Sequence, residues 1–99
     1  MKTDKKINGK EITYTIEGRL DTNTSPDLDN EISSSLDGMS SLVFDFAKLE
    51  YVSSAGLRVL LKAYKAMTAQ KGTMVIRNVP DGINEVLTVT GLNEVFTIE

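Results

Sequence analysis

Between Ser41 and Phe46 the chain sets Leu42, Val43, Phe44 and Phe46, an almost unbroken apolar run. A strand with one wet face alternates apolar and polar residues, so a run without alternation predicts a central strand covered on both faces. The segments around it fit a sheet with helices packed on it. Ile12, Tyr14 and Ile16 recur with period two and predict a strand, with a shorter one before it over Lys5–Ile7. Asn8-Gly9 between them predicts a hairpin turn, since both residues tolerate positive φ. Thr24-Ser25-Pro26-Asp27 has the composition of a helix start, a capping hydroxyl, a proline and an acid. Leu28, Ile32 and Leu36 then share one face, and Gly38 ends the helix. A second helix runs from about Ser54 to Gln70, with Leu57, Leu60, Leu61, Tyr64 and Met67 as its apolar stripe and Gly72 as its stop. Thr73–Arg77 reads as a strand, Ile83, Val86 and Leu87 as a short helix closed near Gly91, and Val95–Ile98 as a last strand. The order β-β-α-β-α-β-α-β predicts a single α/β domain over residues 1–99. Its sheet is mixed and mostly parallel, with an N-terminal antiparallel hairpin.

Composition narrows the chemistry. Ninety-nine residues, 40% apolar and 25% charged, are enough for one core without staples. With no Cys there is no disulfide framework and no thiolate nucleophile. With no His, the commonest general base and metal ligand are missing, which argues against an enzyme and against a metal site. The net charge of −3 and the dispersed lysines and arginines argue against nucleic acid as a partner. No apolar run reaches membrane-span length, and the lysines near the N-terminus precede no apolar signal core. The expected compartment is the cytoplasm. No Gly-rich phosphate cradle is present, so no nucleotide cofactor is expected.

Sheets of this type carry their sites beyond the carboxyl ends of parallel strands. Asp21 and Asp45 fall at such ends, and Tyr51-Val52-Ser53-Ser54-Ala55-Gly56-Leu57-Arg58 spans a loop entering the second helix. The two aspartates could form a pair for acid–base work or for magnesium, but turn-capping and bonds to loop amides are the favoured reading. Ser54 reads as a helix cap, since Ser is a preferred residue where a helix begins. A nucleophilic role needs an adjacent base, and nothing fixes a lysine near it. Gly56 suits close approach of a partner or of the sheet.

The segment around Ser54, with the lead-in Asp45-Phe46-Ala47-Lys48-Leu49-Glu50, resembles the signature of STAS domains. That family joins sulfate transporters with anti-sigma factor antagonists. Ser54, Ala55, Gly56, Leu57, Val59, Leu60 and Leu61 match the family's serine at a helix start followed by small residues and Gly-Leu. Asp45 matches its strand-end acid, and Gly18-Arg19-Leu20-Asp21 its early Gly-x-Leu-Asp. The resemblance covers essentially the whole chain in order. It implies an anti-sigma factor antagonist that is not itself an enzyme. Such a protein binds an anti-sigma factor serine kinase when unphosphorylated, is switched off by phosphorylation on Ser54, and is reset by a PP2C-type phosphatase. Ser53, a second hydroxyl where many antagonists carry Asp, is the alternative acceptor. Asp21, Asp45, Ser53, Ala55, Gly56 and Arg58 are implied to meet the partner. Arg58 stands where better-known antagonists have Gly, and lies four residues along the same helix face as Ser54, within reach of a phosphate there. The alternative function is an accessory STAS subunit of a lipid or anion transport complex.

Overall fold

In the computed structural model, which describes residues 1–99, β1 (Lys2–Asn8) and β2 (Glu11–Leu20) form the expected antiparallel hairpin. Their register runs from Lys2 opposite Glu17 to Asn8 opposite Glu11. The two loop residues are therefore Gly9 and Lys10, one step later than the Asn8-Gly9 pattern predicts. Only Gly9 takes a left-handed φ, +62°, and Asn8 stays in the strand. Glycine meets that requirement without steric cost, so the turn settles where Gly occupies its first central position.

After the hairpin come α1 (Ser25–Ser35), β3 (Ser41–Asp45), β4 (Leu49–Val52), α2 (Ser54–Ala69), β5 (Thr73–Arg77), α3 (Asp81–Thr90), a 3₁₀ turn over Leu92–Glu94, and β6 (Thr97–Ile98). The main sheet has the order β1-β2-β3-β5-β6, and every pair after the hairpin is parallel. β4 is the element that the sequence pattern does not announce. It pairs in parallel with the far end of β2, past a register shift at Gly18/Arg19. Only Leu49 and Val52 are buried, with Glu50 and Tyr51 exposed between them, so period two is absent. The last strand is also shorter than predicted, because Val95 belongs to the turn that follows α3.

The core lies on one face of the sheet. Ile12, Tyr14 and Ile16 of β2, Leu42 and Phe44 of β3, and Met74 and Ile76 of β5 share that face. They form one cluster with Leu28 and Ile32 of α1, Leu57 and Leu60 of α2, and Ile83 and Leu87 of α3. Tyr14, Phe44 and Phe46 stack in sequence at 6.1 and 5.9 Å. Val43 is buried but outside this cluster, on the opposite face, between its register partners Thr13 and Val75. The unbroken apolar run thus reflects a central strand buried on both faces, as predicted, with the helix-packed core on one of them.

Two helix ends follow the glycines as expected, with one refinement each. α1 stops at Ser35 and Gly38 turns the chain just beyond, at φ +80°. α2 stops at Ala69. Lys71 there takes φ +62°, and Gly72 donates its N–H to the Met67 carbonyl (2.7 Å). Gly91 closes α3 in the left-handed conformation.

Candidate functional site

The carboxyl end of β2 and the head of α2 share one corner of the molecule. Leu20 and Val52 are register partners, and the Ser53 N–H donates to the Leu20 carbonyl (2.9 Å). Gly56 brings the helix closer still. A Cβ built on it would sit 2.8 Å from the Leu20 side chain, 2.9 Å from the Leu20 carbonyl oxygen and 2.9 Å from Val52 Cγ2. The close approach that Gly56 permits is to the protein's own sheet, which locks the head of α2 against the end of β2.

The two serines at this corner have different duties. Ser53 is the N-cap, with extended backbone (φ −94°, ψ 174°), and its Oγ accepts the Gly56 N–H at 3.3 Å. Its carbonyl accepts the Leu57 N–H (2.9 Å). Ser54 is the first residue of the helix proper and is exposed, with no hydrogen-bond partner for its hydroxyl among the protein's side-chain bonds. Neither its N–H nor that of Ala55 reaches an acceptor in the chain. Ala55 is half-buried behind it and Gly56 fully buried. Arg58 is exposed one turn on and takes part in no ion pair. The molecule's three pairs are Arg19–Asp21, Lys62–Asp29 and Arg77–Glu99.

Asp21 organises the loop between β2 and α1. Its Oδ1 accepts the N–H groups of Asn23 (3.0 Å) and Thr24 (3.1 Å). Partial burial acts to raise the Asp21 carboxyl. The amides of Thr24 and Asn23, the Thr24 hydroxyl and the Arg19 guanidinium outweigh it and hold the group below the usual carboxylate range. Thr24, expected to cap α1, makes no side-chain cap bond. Its hydroxyl instead donates to the Arg19 carbonyl (2.8 Å) and accepts the Asp21 N–H (2.9 Å). The Asp21 carbonyl accepts the Ser25 N–H at 2.8 Å, so the acid anchors the start of α1 from outside it.

Arg19 and Tyr51 complete this corner and are the residues that sequence reasoning did not single out. They are register partners of β2 and β4. The Arg19 guanidinium lies 4.1 Å over the Tyr51 ring and 3.8 Å from Asp21 Oδ2, and Tyr51 remains 40% exposed. No local pattern marks the pair, because their contact arises from a strand pairing that the sequence does not announce.

Asp45 belongs elsewhere. It ends β3 level with Thr15 of β2, and its Oδ1 accepts the Ala47 N–H (3.0 Å) and the Asn78 amide (3.1 Å). Asp21 lies six residues after Thr15, just past the end of β2, so on the order of 20 Å of extended chain separates the two acids. They form no carboxylate pair, and each serves the loop amides beside it. Of the residues singled out in the sequence, Asp21, Ser53, Ser54, Ala55, Gly56 and Arg58 come together at the head of α2, and Asp45 does not.

None of Asp21, Ser53 or Ser54 lines any surface cleft of the molecule. Small-molecule sites are concave and enclose most of their ligand. An exposed hydroxyl outside any cleft suits contact with another protein's surface. No helix is long and apolar enough to cross a membrane.

Known proteins resemble this chain along nearly its whole length. The family model described as STAS domain matches residues 2–99. BtrV of Bordetella bronchiseptica, a candidate anti-sigma factor antagonist, is 30% identical over 94 residues, covering 94% of this chain and 80% of BtrV. The anti-sigma factor antagonist SpoIIAA in its unphosphorylated form superposes with a TM-score of 0.79 at 14% identity, over 99% of this chain and 87% of SpoIIAA. The phosphorylated form of the Bacillus SpoIIAA superposes with a TM-score of 0.79 at 16% identity, over 99% and 91%. With a family model spanning nearly every residue and a relative of this length and identity, the chain belongs to the STAS domain family, among the anti-sigma factor antagonists.

Proposed function

We propose that this chain is a partner-switching regulator. In its unmodified form it binds an anti-sigma factor serine kinase in the cytoplasm and so releases a sigma factor. Phosphorylation of Ser54 ends that binding. The observation that carries the reading is the division of labour between the two serines. Ser53 Oγ is engaged by the Gly56 amide, whereas Ser54 is exposed with an unengaged hydroxyl. A kinase can approach Ser54 without dismantling the cap of α2. The chain has no His to act as base near either hydroxyl. The kinase therefore supplies the base that takes the Ser54 Oγ proton, and ATP supplies the γ-phosphoryl group that forms the new ester. A PP2C-type phosphatase hydrolyses that ester to restore the binding form.

The phosphate brings roughly −1.5 to −2 charge units at neutral pH. At the first residue of α2 it meets the unpaired amides of Ser54 and Ala55 and the positive end of the helix dipole, a setting that favours negative charge. Modification there leaves the helix standing and changes what can dock on the corner. Asp21, Ser53, Ala55, Arg58 and the Arg19–Tyr51 pair form the surface around the acceptor that the kinase covers, with Gly56 buried beneath it. Asp45 reaches the partner only if the interface extends along β2.

Incubation with the anti-sigma factor kinase of the same organism and ATP tests this. Intact mass is expected to rise by one phosphoryl group in the wild type and in Ser53→Ala, and not at all in Ser54→Ala. Label that survives Ser54→Ala, or that never appears on wild type, rules the assignment out.

A further inference from the structure

Along the exposed face of α2, Ser54, Arg58 and Lys62 recur at intervals of four residues and so form one row. Side chains on a helix lean toward its N-terminus, so Arg58 leans toward Ser54 and Lys62 toward Arg58. The two cations are not equally free. Lys62 Nζ is bound by both carboxylate oxygens of Asp29 on α1, at 2.9 and 3.2 Å. Arg58 has no ion-pair partner. Nor does α2 offer it one, since from Ser54 to Ala69 the helix contains no acidic residue, and the charged groups that β2 brings to this corner, Arg19 and Asp21, are paired with each other (3.8 Å). Arg58 is thus an unpaired, exposed guanidinium one turn from the hydroxyl assigned above as the phosphate acceptor.

We infer that Arg58 is the phosphate's partner within the chain, holding phospho-Ser54 against the first turn of α2 in its doubly charged form. The inference rests on Ser54 as the modified residue and adds how the modified state is kept. A guanidinium presents paired N–H donors that match phosphate oxygens, and a neighbour at four-residue spacing can deliver them without backbone movement. By stabilising the dianion, Arg58 lowers the pH at which the dianion takes up a proton to become the monoanion. The switched-off state then carries its full charge throughout the neutral range, instead of losing part of it near pH 6, where an isolated phosphoserine titrates.

The test needs no kinase. Phosphoserine is installed at position 54 by nonsense suppression, and its ³¹P resonance is titrated from about pH 4.5 to 8, a range centred on the free phosphoserine value. The expected midpoint is about 0.3 pH unit lower in wild type than in Arg58→Gln, a roughly twofold change in proton affinity. Arg58→Lys should recover part of the difference, and about 1 M salt should shrink it. Lys62→Gln should leave the midpoint at the wild-type value. Equal midpoints for wild type and Arg58→Gln overturn the inference. So does a Lys62→Gln shift as large as that of Arg58→Gln, which would mean a diffuse field of the basic helix and no specific pair. Because the phosphate is placed chemically, these outcomes are independent of whether the kinase labels Ser54.

Discussion

Two adjacent hydroxyls at the head of α2 differ in what their oxygens already do. Ser53 accepts the Gly56 amide, and truncating it removes that acceptor while the amide stays partly buried. Ser53→Ala should lower unfolding stability by about 1 kcal/mol, read from denaturant midpoints, and leave labelling of Ser54 intact. Ser54→Ala removes an exposed hydroxyl with no partner and should change stability by less than about 0.5 kcal/mol. At the same corner Asp21 links folding to pH. Its folded value lies below the unfolded one, so its contribution is present above the unfolded value and disappears as pH falls through the folded one. Stability measured between about pH 5 and pH 2 should therefore decline less steeply in Asp21→Asn than in wild type. Parallel curves would show that the loop amides do not distinguish the charged carboxyl.

At the scale of elements, the corner exists because β2 outruns β3. Thr15 is the last β2 residue paired with Asp45, and the overhang from Gly18 to Leu20 takes β4 as its partner instead. β4 then delivers the chain into α2 next to Asp21. The joint has no slack at Gly56, where two of the three nearest atoms to an added Cβ would be Leu20 groups, one of them a backbone oxygen. Gly56→Ala should cost about 1–3 kcal/mol, by the usual penalty for overpacking, and should also weaken kinase binding by displacing Ser54 relative to Asp21. Denaturant unfolding with a binding titration checks both. A variant with wild-type stability would mean that the helix slides aside freely.

At the scale of the molecule, the site sits at one corner of the sheet, and the shared core lies under the face on which all three helices pack. Ser54 is exposed and the core begins with Leu57, so an added phosphate changes surface charge without touching packed side chains. Amide chemical-shift changes on phosphorylation should be confined to about one turn of α2, the loop holding Asp21, and β4. Shifts that spread through β3 and β5 would point to a switch that repacks the sheet.

Much of this was written locally. The unbroken run at Ser41–Phe46, the alternation of Ile12, Tyr14 and Ile16, and the stripe from Leu57 to Met67 gave the class of fold, because burial of one face imposes its period on the sequence. Ser54 and Gly56 stood out because a helix start has its own residue preferences. Tertiary structure alone decided three things. It made β4 a strand, since four residues with buried ends and exposed centre have no period to read and acquire their role from the overhang of β2. It brought Arg19 over Tyr51 and separated Asp45 from Asp21, because register between distant strands sets both distances. It also set which of the two serines caps the helix, since Ser53 Oγ accepts the Gly56 amide and residue type is the same at both positions.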